Sequence, residues 1–134
     1  MNAREMVAGC LGAVVASLIT LAPAFADPLP TQIGQCGRTA ISKIGTRLQD
    51  GSTGRAIPGS GSAVEFENGG YQVSYETLPQ ITRSRPGDPV QMCLVSIPQD
   101  CPPGDARGRV YKTTNLRTRQ SWSLPDSEHS CGGA

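Results

Sequence analysis

Four of the five cysteines in this 134-residue chain lie between Cys36 and Cys131, and the fifth, Cys10, stands apart near the N-terminus. Paired cysteines limit a small domain to folds in which distant segments meet, because a disulfide requires Cα atoms within about 7 Å. Disulfides persist outside the reducing cytosol, so the compartment decides whether these thiols pair. The N-terminal sequence is therefore the next feature to interpret.

The N-terminal segment has the pattern of a cleavable secretory signal. After a short charged start, residues 7–21 form an uncharged apolar run, and residues 23–26 (PAFA) end in the small-x-small pattern that signal peptidase accepts. The run has 15 residues, fewer than the roughly 20 that cross a membrane. We therefore predict a signal peptide over residues 1–26, which includes Cys10, a mature chain from Asp27, and no membrane span after processing. The expected location is periplasmic or extracellular.

Removing 26 of the 134 residues leaves 108, the size of one small domain over residues 27–134. In an oxidising compartment its four cysteines predict two disulfides. Three connectivities are open, and we favour the pairs Cys36 with Cys131 and Cys93 with Cys101. The chain has no Cys-x-x-Cys and a single histidine, so we expect no metal site and no cofactor.

Charge gives little guidance about partners. The formal net charge is +1, so no global field directs the chain to nucleic acid or to a membrane surface. Residues 105–119 are locally basic, with five Arg or Lys side chains against Asp105. We expect no nucleic-acid partner.

Frequent glycine and proline, 16 and 11 residues, favour short strands and turns over long helices. Residues 39–48 have three apolar side chains at helical spacing, but their β-branched residues and a central glycine favour a strand. Residues 90–97 are apolar on both alternations, which predicts a central strand buried on both faces. The predicted fold is mainly all-β: a small antiparallel barrel or sandwich, comparable to an OB-fold and stapled by disulfides.

A first hairpin is predicted over residues 63–77. The pair Asn68-Gly69 is typical of a two-residue type I′ turn. That register would place Phe66 opposite Tyr71 on the apolar face and would leave Gln72 on the solvent face.

A second hairpin, predicted over residues 109–124 with its loop at residues 115–118, carries the candidate binding residues. Its register would place Tyr111 opposite Trp122 beside a guanidinium, a set that could stack on a sugar or hold an anion. The alternative, which we weigh more heavily, is that these aromatic side chains build the core. The candidate binding residues are Arg109, Tyr111, Trp122, Arg107 and Arg119.

Two polar clusters contain residue types that catalytic sites use. His129 lies within residues 126–130 (DSEHS), but neighbours on an extended chain point to alternate sides, so a polar tail is the stronger interpretation. Glu65 and Glu67 could form a carboxylate pair of the glycosidase type, yet acids on a hairpin surface are usually solubilising. We therefore assign no catalytic residue.

The stretch from Cys36 onward, which is nearly the whole mature chain, contains four distinctive segments: NGGYQVSYE, RPGDPVQMCLVSIPQDCPPGDARGRVY, TNLRT and SWSLPDSEHSCGGA. Together they are similar to a family of small exported bacterial proteins of unknown function. The resemblance implies an exported proteobacterial protein and carries no activity or functional residue. The small periplasmic β-barrel inhibitors of lysozyme are a looser analogy, because their motifs occur in a different order.

These patterns lead us to expect a noncatalytic binding or interaction module of the cell envelope. Its partner would be an envelope protein, a glycan or an anionic small molecule. A small periplasmic hydrolase, an inhibitor-like protein and a structural envelope protein are the alternatives.

Overall fold

The structure is a computed structural model that describes residues 26–133, together with Gly9 and residues 12–17. Most of the predicted signal peptide over residues 1–26 therefore lies outside the described residues. Within the described part of the chain, no helix is both long and apolar enough to cross a membrane.

Residues 26–133 contain six strands and one short helix, joined into a single antiparallel sheet. The elements are β1 Cys36–Gly45, β2 Ser62–Phe66, β3 Tyr71–Ser74, α1 Pro79–Thr82, β4 Pro89–Ser96, β5 Val110–Asn115 and β6 Ser121–Pro125. The strand order is β3-β2-β1-β4-β5-β6, and the sheet curls into a half-barrel. The predicted mainly-β, antiparallel fold with two disulfides is confirmed.

Strand β1 is long enough to pair with two neighbours in succession. Residues 36–40 pair with β4, whereas the second half of β1, from Ile41 to Gly45, pairs with β2. A register shift between Ile41 and Lys43 marks a bulge, which bends the strand. The sheet turns at this bend. Because β2 pairs with β1 only from Ile41 onward, no strand of residues 26–133 pairs with residues 36–40 on the side opposite β4.

The core fills the concave side of the sheet. Alternation places every second side chain of a strand on this side, and α1 adds Ile81. The buried hydrophobic cluster consists of Ile41, Val64, Phe66, Ile81, Val90, Met92, Leu94, Tyr111 and Trp122.

Strand β4 is central, as predicted, but it is not buried on both faces. Val90, Met92 and Leu94 are fully buried, whereas Val95 on the opposite face is 43% exposed. The prediction was wrong because an apolar composition on both alternations does not by itself supply a second covering layer. This convex face of the sheet is open to solvent at β4.

The first hairpin is confirmed, but the predicted register is wrong by one residue. Glu65 pairs with Tyr71 and Val64 pairs with Gln72. A one-residue shift exchanges the two faces of a strand. Gln72 is therefore completely buried in the core, and Tyr71 lies on the convex face, partly exposed.

The loop geometry explains this shift. The N–H of Phe66 donates to the carbonyl of Gly70, so the loop between them has three residues. A type I′ turn needs positive φ at two successive residues, and here Gly69 has φ +84° while Asn68 does not share that conformation. The side chain of Asn68 instead accepts a hydrogen bond from the N–H of Gly70 at 3.1 Å.

The second hairpin is also confirmed, with a register that differs by two residues from the predicted one. Thr113 pairs with Trp122, and Tyr111 pairs with Leu124. The loop comprises residues 116–119, because the side chain of Asn115 accepts hydrogen bonds from the backbone within it. A shift of two keeps each side chain on its face, so the aromatic residues share one face as predicted.

The four cysteines form two disulfides, but the predicted pairing is wrong. Cys36 bonds to Cys93, its direct partner across β1 and β4, and Cys101 bonds to Cys131. The first bridge follows from the adjacency of two strands that are far apart in sequence. The second fastens the tail to the proline-rich loop after β4.

Candidate functional site

The two aromatic residues of the predicted binding face lie in the core. Tyr111 is 1% exposed and Trp122 is 5% exposed. The indole N–H of Trp122 donates to the side-chain oxygen of Gln72 at 2.8 Å, and the hydroxyl of Tyr111 donates to the carbonyl of Pro30 at 3.3 Å. Burial raises the pKa of the Tyr111 hydroxyl. Neither ring is presented to a ligand, which agrees with the alternative that these residues build the core.

The three arginines among the candidate binding residues lie in different local settings. Arg107 forms two hydrogen bonds to Asp105 at 2.9 Å and a third to the carbonyl of Gly133, so it fastens the tail. Arg119 lies exposed in the second hairpin loop with φ +63°. Arg109 is half-buried just before β5. None of the three lines the clefts described below.

The polar tail around His129 is not arranged as a catalytic set. The hydroxyl of Ser127 donates to the carbonyl of His129, and the carboxylate of Asp126 accepts from the N–H of Gly108. Glu128 faces Arg47 instead. The acid and hydroxyl neighbours of the imidazole are thus engaged elsewhere.

A polar cleft of about 240 Å³ lies on the convex face of β1, β2 and the start of β3. We call it the outer cleft, and its lining residues are Lys43, Gly45, Thr46, Arg47, Gln49, Ala63, Glu65 and Tyr71.

One wall of the outer cleft is a row of three side chains on adjacent strands. Lys43 on β1 is paired with Glu65 on β2, and Glu65 is paired with Tyr71 on β3. Neighbouring strands are about 4.8 Å apart, so the three side chains stand side by side. The ammonium of Lys43 lies 3.5 Å from the carboxylate of Glu65, and both side chains are more than half exposed. The row presents a cation, an acid and a phenol to solvent.

The floor of the cleft is formed by small residues. Gly45 and Ala63 are direct partners in the next row of the sheet. Because neither has a side chain beyond Cβ, the convex surface is depressed there between the taller side chains around it. The depression depends on the local sequence of two strands that are brought together by the bend in β1.

Arg47 forms the opposite wall and is held by three contacts. Its Nε donates to the carbonyl of Ser60 at 2.8 Å, and its guanidinium lies 3.5 Å from the carboxylate of Glu128. The same guanidinium stacks over the ring of Tyr75, 4.2 Å from the centroid, as a cation–π contact. Arg47 thereby joins the loop after β1, the end of β3 and the C-terminal tail.

The electrostatics of the outer cleft keep its phenol protonated. Partial burial raises the pKa of Tyr71, and the carboxylates of Glu128 and Glu65 raise it further against the opposing effect of Arg47. Tyr71 is therefore a hydrogen-bond donor at neutral pH. Its two acidic neighbours are each matched by a cation, so the cleft is rich in donors and acceptors but close to neutral.

Two larger depressions among the described residues are mainly apolar. One of about 380 Å³ lies between β1, β4 and the first hairpin loop, and its rim includes Arg38 and Glu67. The other, of about 350 Å³, adjoins α1 and is lined by Ile44 and Ile81. The exposed lining of both is mostly apolar, whereas that of the outer cleft is mostly polar, and we take the outer cleft as the candidate site on that ground. The described residues contain no group of three or more His, Cys, Asp or Glu side chains placed to hold a metal ion.

No family model, curated protein or solved structure matches the chain, so the site is interpreted from its own geometry.

Proposed function

We propose that this protein is a noncatalytic binding module, exported to the periplasm or the cell exterior, and that it binds a glycan of the cell envelope in the outer cleft. The observation that carries the proposal is the side-by-side placement of Lys43, Glu65 and Tyr71 over a floor of small residues. The exposed ring of Tyr75 contacts the guanidinium of Arg47, which lines the cleft.

The chemistry of a sugar matches this surface. Sugar hydroxyl groups both donate and accept hydrogen bonds, so they can pair with carboxylates, with cations and with a phenol. The C–H face of a sugar ring packs on an aromatic side chain, and Tyr75 is 57% exposed. A volume of about 240 Å³ is below the approximate 300–1,000 Å³ of sites for drug-sized ligands, so it suits one sugar unit of a longer chain.

The balance of charges favours a glycan over a simple anion. A site for a small anion presents unpaired cations, whereas Lys43 and Arg47 are each engaged by a carboxylate. The same pairing supports binding over hydrolysis. A glycosidase needs an acid in an apolar pocket, whereas Glu65 is more than half exposed beside Lys43 and Glu128 lies against Arg47.

The disulfides support the proposed location outside the cytoplasm. Two disulfides are consistent with an oxidising, non-cytoplasmic environment. The signal-peptide pattern over residues 1–26 and the resemblance to exported bacterial proteins favour the same location.

Titration calorimetry against a panel of soluble peptidoglycan fragments, chitooligosaccharides and maltooligosaccharides tests the proposal. We expect at least one probe to bind, and the substitution Tyr71→Ala to raise its Kd about tenfold or more, because one hydrogen bond and one packing surface are lost. Tyr71→Phe removes the hydroxyl alone and should have a smaller effect in the same direction. Arg119→Ala, on the distant hairpin loop, is the matched surface control and should leave Kd unchanged.

Two results would refute the proposal. The first is that the unmodified protein binds none of the probes at millimolar concentration. The second is that it binds one of them and that Tyr71→Ala and Tyr75→Ala both leave Kd unchanged.

A further inference from the structure

Residues 27–30 lie along the edge of β1 that β2 leaves unpaired, and we call them the N-terminal strap. The N–H of Asp27 donates to the carbonyl of Arg38 at 2.7 Å, and the carboxylate of Asp27 accepts from the N–H of Arg38 at 2.7 Å. The strap therefore pairs both backbone groups of Arg38 on an edge that would otherwise be open.

The strap is also part of the packed interior. Pro30 is completely buried and accepts the hydrogen bond of the Tyr111 hydroxyl, and Leu29 packs against the hydrophobic cluster. Gly37 is the residue that allows this close approach. A Cβ at Gly37 would lie 3.2 Å from both the Cβ of Asp27 and the carbonyl oxygen of Pro28.

Among the described residues, the first that docks on β1 is also the residue after the cleavage site that the sequence predicts. Ala26 and Asp27 are both exposed, but Asp27 makes two hydrogen bonds to β1. The small side chains at positions 24 and 26 satisfy the preference of signal peptidase for the bond that follows Ala26.

We infer that hydrolysis of the bond between Ala26 and Asp27 creates an N-terminus that the fold holds in place as an added edge strand. Water adds its hydroxyl to the carbonyl carbon of Ala26 and a proton to the nitrogen of Asp27. The acid proton then passes to the amine, which leaves a carboxylate on the released peptide and an ammonium on Asp27. That ammonium keeps its hydrogen bond to the carbonyl of Arg38. The inference does not depend on the glycan site.

The first test is the intact mass of the protein purified after export of the full chain by a bacterial host. Under nonreducing conditions we expect the mass of residues 27–134 with two disulfides. Any other N-terminus, or retention of the leader, would overturn the inference.

The second test concerns the docking of the strap in the processed protein. We expect Asp27→Ala to raise the equilibrium constant of unfolding about tenfold, because the N–H of Arg38 loses its acceptor. Asp27→Asn keeps an acceptor oxygen and should change that constant by no more than about twofold. Equal effects of the two substitutions would contradict docking through the side chain.

Amide hydrogen exchange at Arg38 gives a reading that needs no variant. The docked strap predicts slow exchange of this N–H, comparable to that of paired residues within β1. Exchange as fast as in an exposed loop would show that the edge is open and would overturn the inference, whatever the outcome of glycan binding.

Discussion

The carboxylate of Asp88 accepts hydrogen bonds from three residues at one end of the sheet. It receives the side-chain N–H of Asn115 at 2.8 Å, the backbone N–H of Arg85 at 2.9 Å and a bidentate contact from the guanidinium of Arg117. Asp88 is 5% exposed. The hydrogen bonds from Arg117 hold the pKa of this carboxyl well below its usual range. Asp88 therefore ties the loop before β4 to the second hairpin in a charge-dependent way.

This geometry predicts a specific loss of stability in acid. The pKa of Asp88 is lower in the folded protein than the unfolded value of about 3.9, so its contribution is complete above that value and is lost as the pH falls below it. Asp88→Asn should lower the free energy of unfolding at pH 7 by about 2 kcal/mol and should flatten its dependence on pH between about 4 and 2. Urea denaturation at several pH values measures both effects.

Asp100→Asn is the matched control, because Asp100 lies in an exposed loop and asparagine tolerates its positive φ. It should change the free energy of unfolding at pH 7 by no more than about 0.5 kcal/mol. Some acid sensitivity will remain in the Asp88 variant, since the hydroxyl of Ser52 lowers the pKa of Asp50 to about 2 and Arg107 lowers the pKa of Asp105. If the free energy of unfolding changes with pH at the same slope in Asp88→Asn as in the unmodified protein, Asp88 does not make this charge-dependent contribution to stability.

At the scale of elements, the side chain of Gln72 connects β3 to the far edge of the sheet. Its N–H groups donate to the carbonyls of Tyr111 and Leu124 at 2.7 and 3.1 Å. Its oxygen accepts from the hydroxyl of Thr113 and from the indole of Trp122 at 2.6 and 2.8 Å. The buried carboxamide thus donates two hydrogen bonds and accepts two. This network closes the half-barrel across β3, β5 and β6.

Gln72→Leu should consequently destabilise the fold by at least about 3 kcal/mol, because it leaves several buried partners without hydrogen bonds. Gln91→Leu makes the same chemical change at an exposed position of β4 and should shift the free energy of unfolding by no more than about 0.5 kcal/mol. Urea denaturation measures the free energy of unfolding of both variants. Similar, small effects of both substitutions would show that the network does not close the half-barrel.

The sequence predicts the strands better than it predicts their pairing. Alternation and turn residues locate both hairpins, yet Asn68-Gly69 is compatible with loops of two or three residues, and only the three-residue loop buries Gln72. The disulfide between Cys36 and Cys93 depends on which strands are neighbours, which no local pattern encodes.

The candidate site is likewise only partly predictable from the sequence, because it depends on how the strands pair. Alternation along β2 places Glu65 on the convex face, the bulge in β1 places Lys43 beside it, and the correct register adds Tyr71. The contact of Arg47 with Glu128 joins residues 81 positions apart, so only the complete fold reveals that wall of the cleft. Tyr111 and Trp122, the aromatic residues among the candidate binding residues, are buried in the core instead.

At the scale of the whole molecule, the outer cleft is built by segments that other contacts fasten. The bend in β1 brings Gly45 beside Ala63, and the tail that carries Glu128 is anchored by the disulfide between Cys101 and Cys131. The cleft is thus set by the rigid sheet and by a covalently tethered tail. A surface that is held in place before the ligand arrives loses little conformational entropy on binding.

The chain offers an internal control for the central claim, that a glycan occupies the outer cleft. Its two lysines, Lys43 and Lys112, both project from exposed positions of strands, and only Lys43 lies in the cleft. The deciding measurement is the ratio of their acetylation rates by an amine-reactive ester, read by mass spectrometry with and without the same panel of glycans at millimolar concentration. We predict that at least one glycan slows the acetylation of Lys43 and leaves that of Lys112 unchanged. A ratio that stays constant with every glycan would contradict the account.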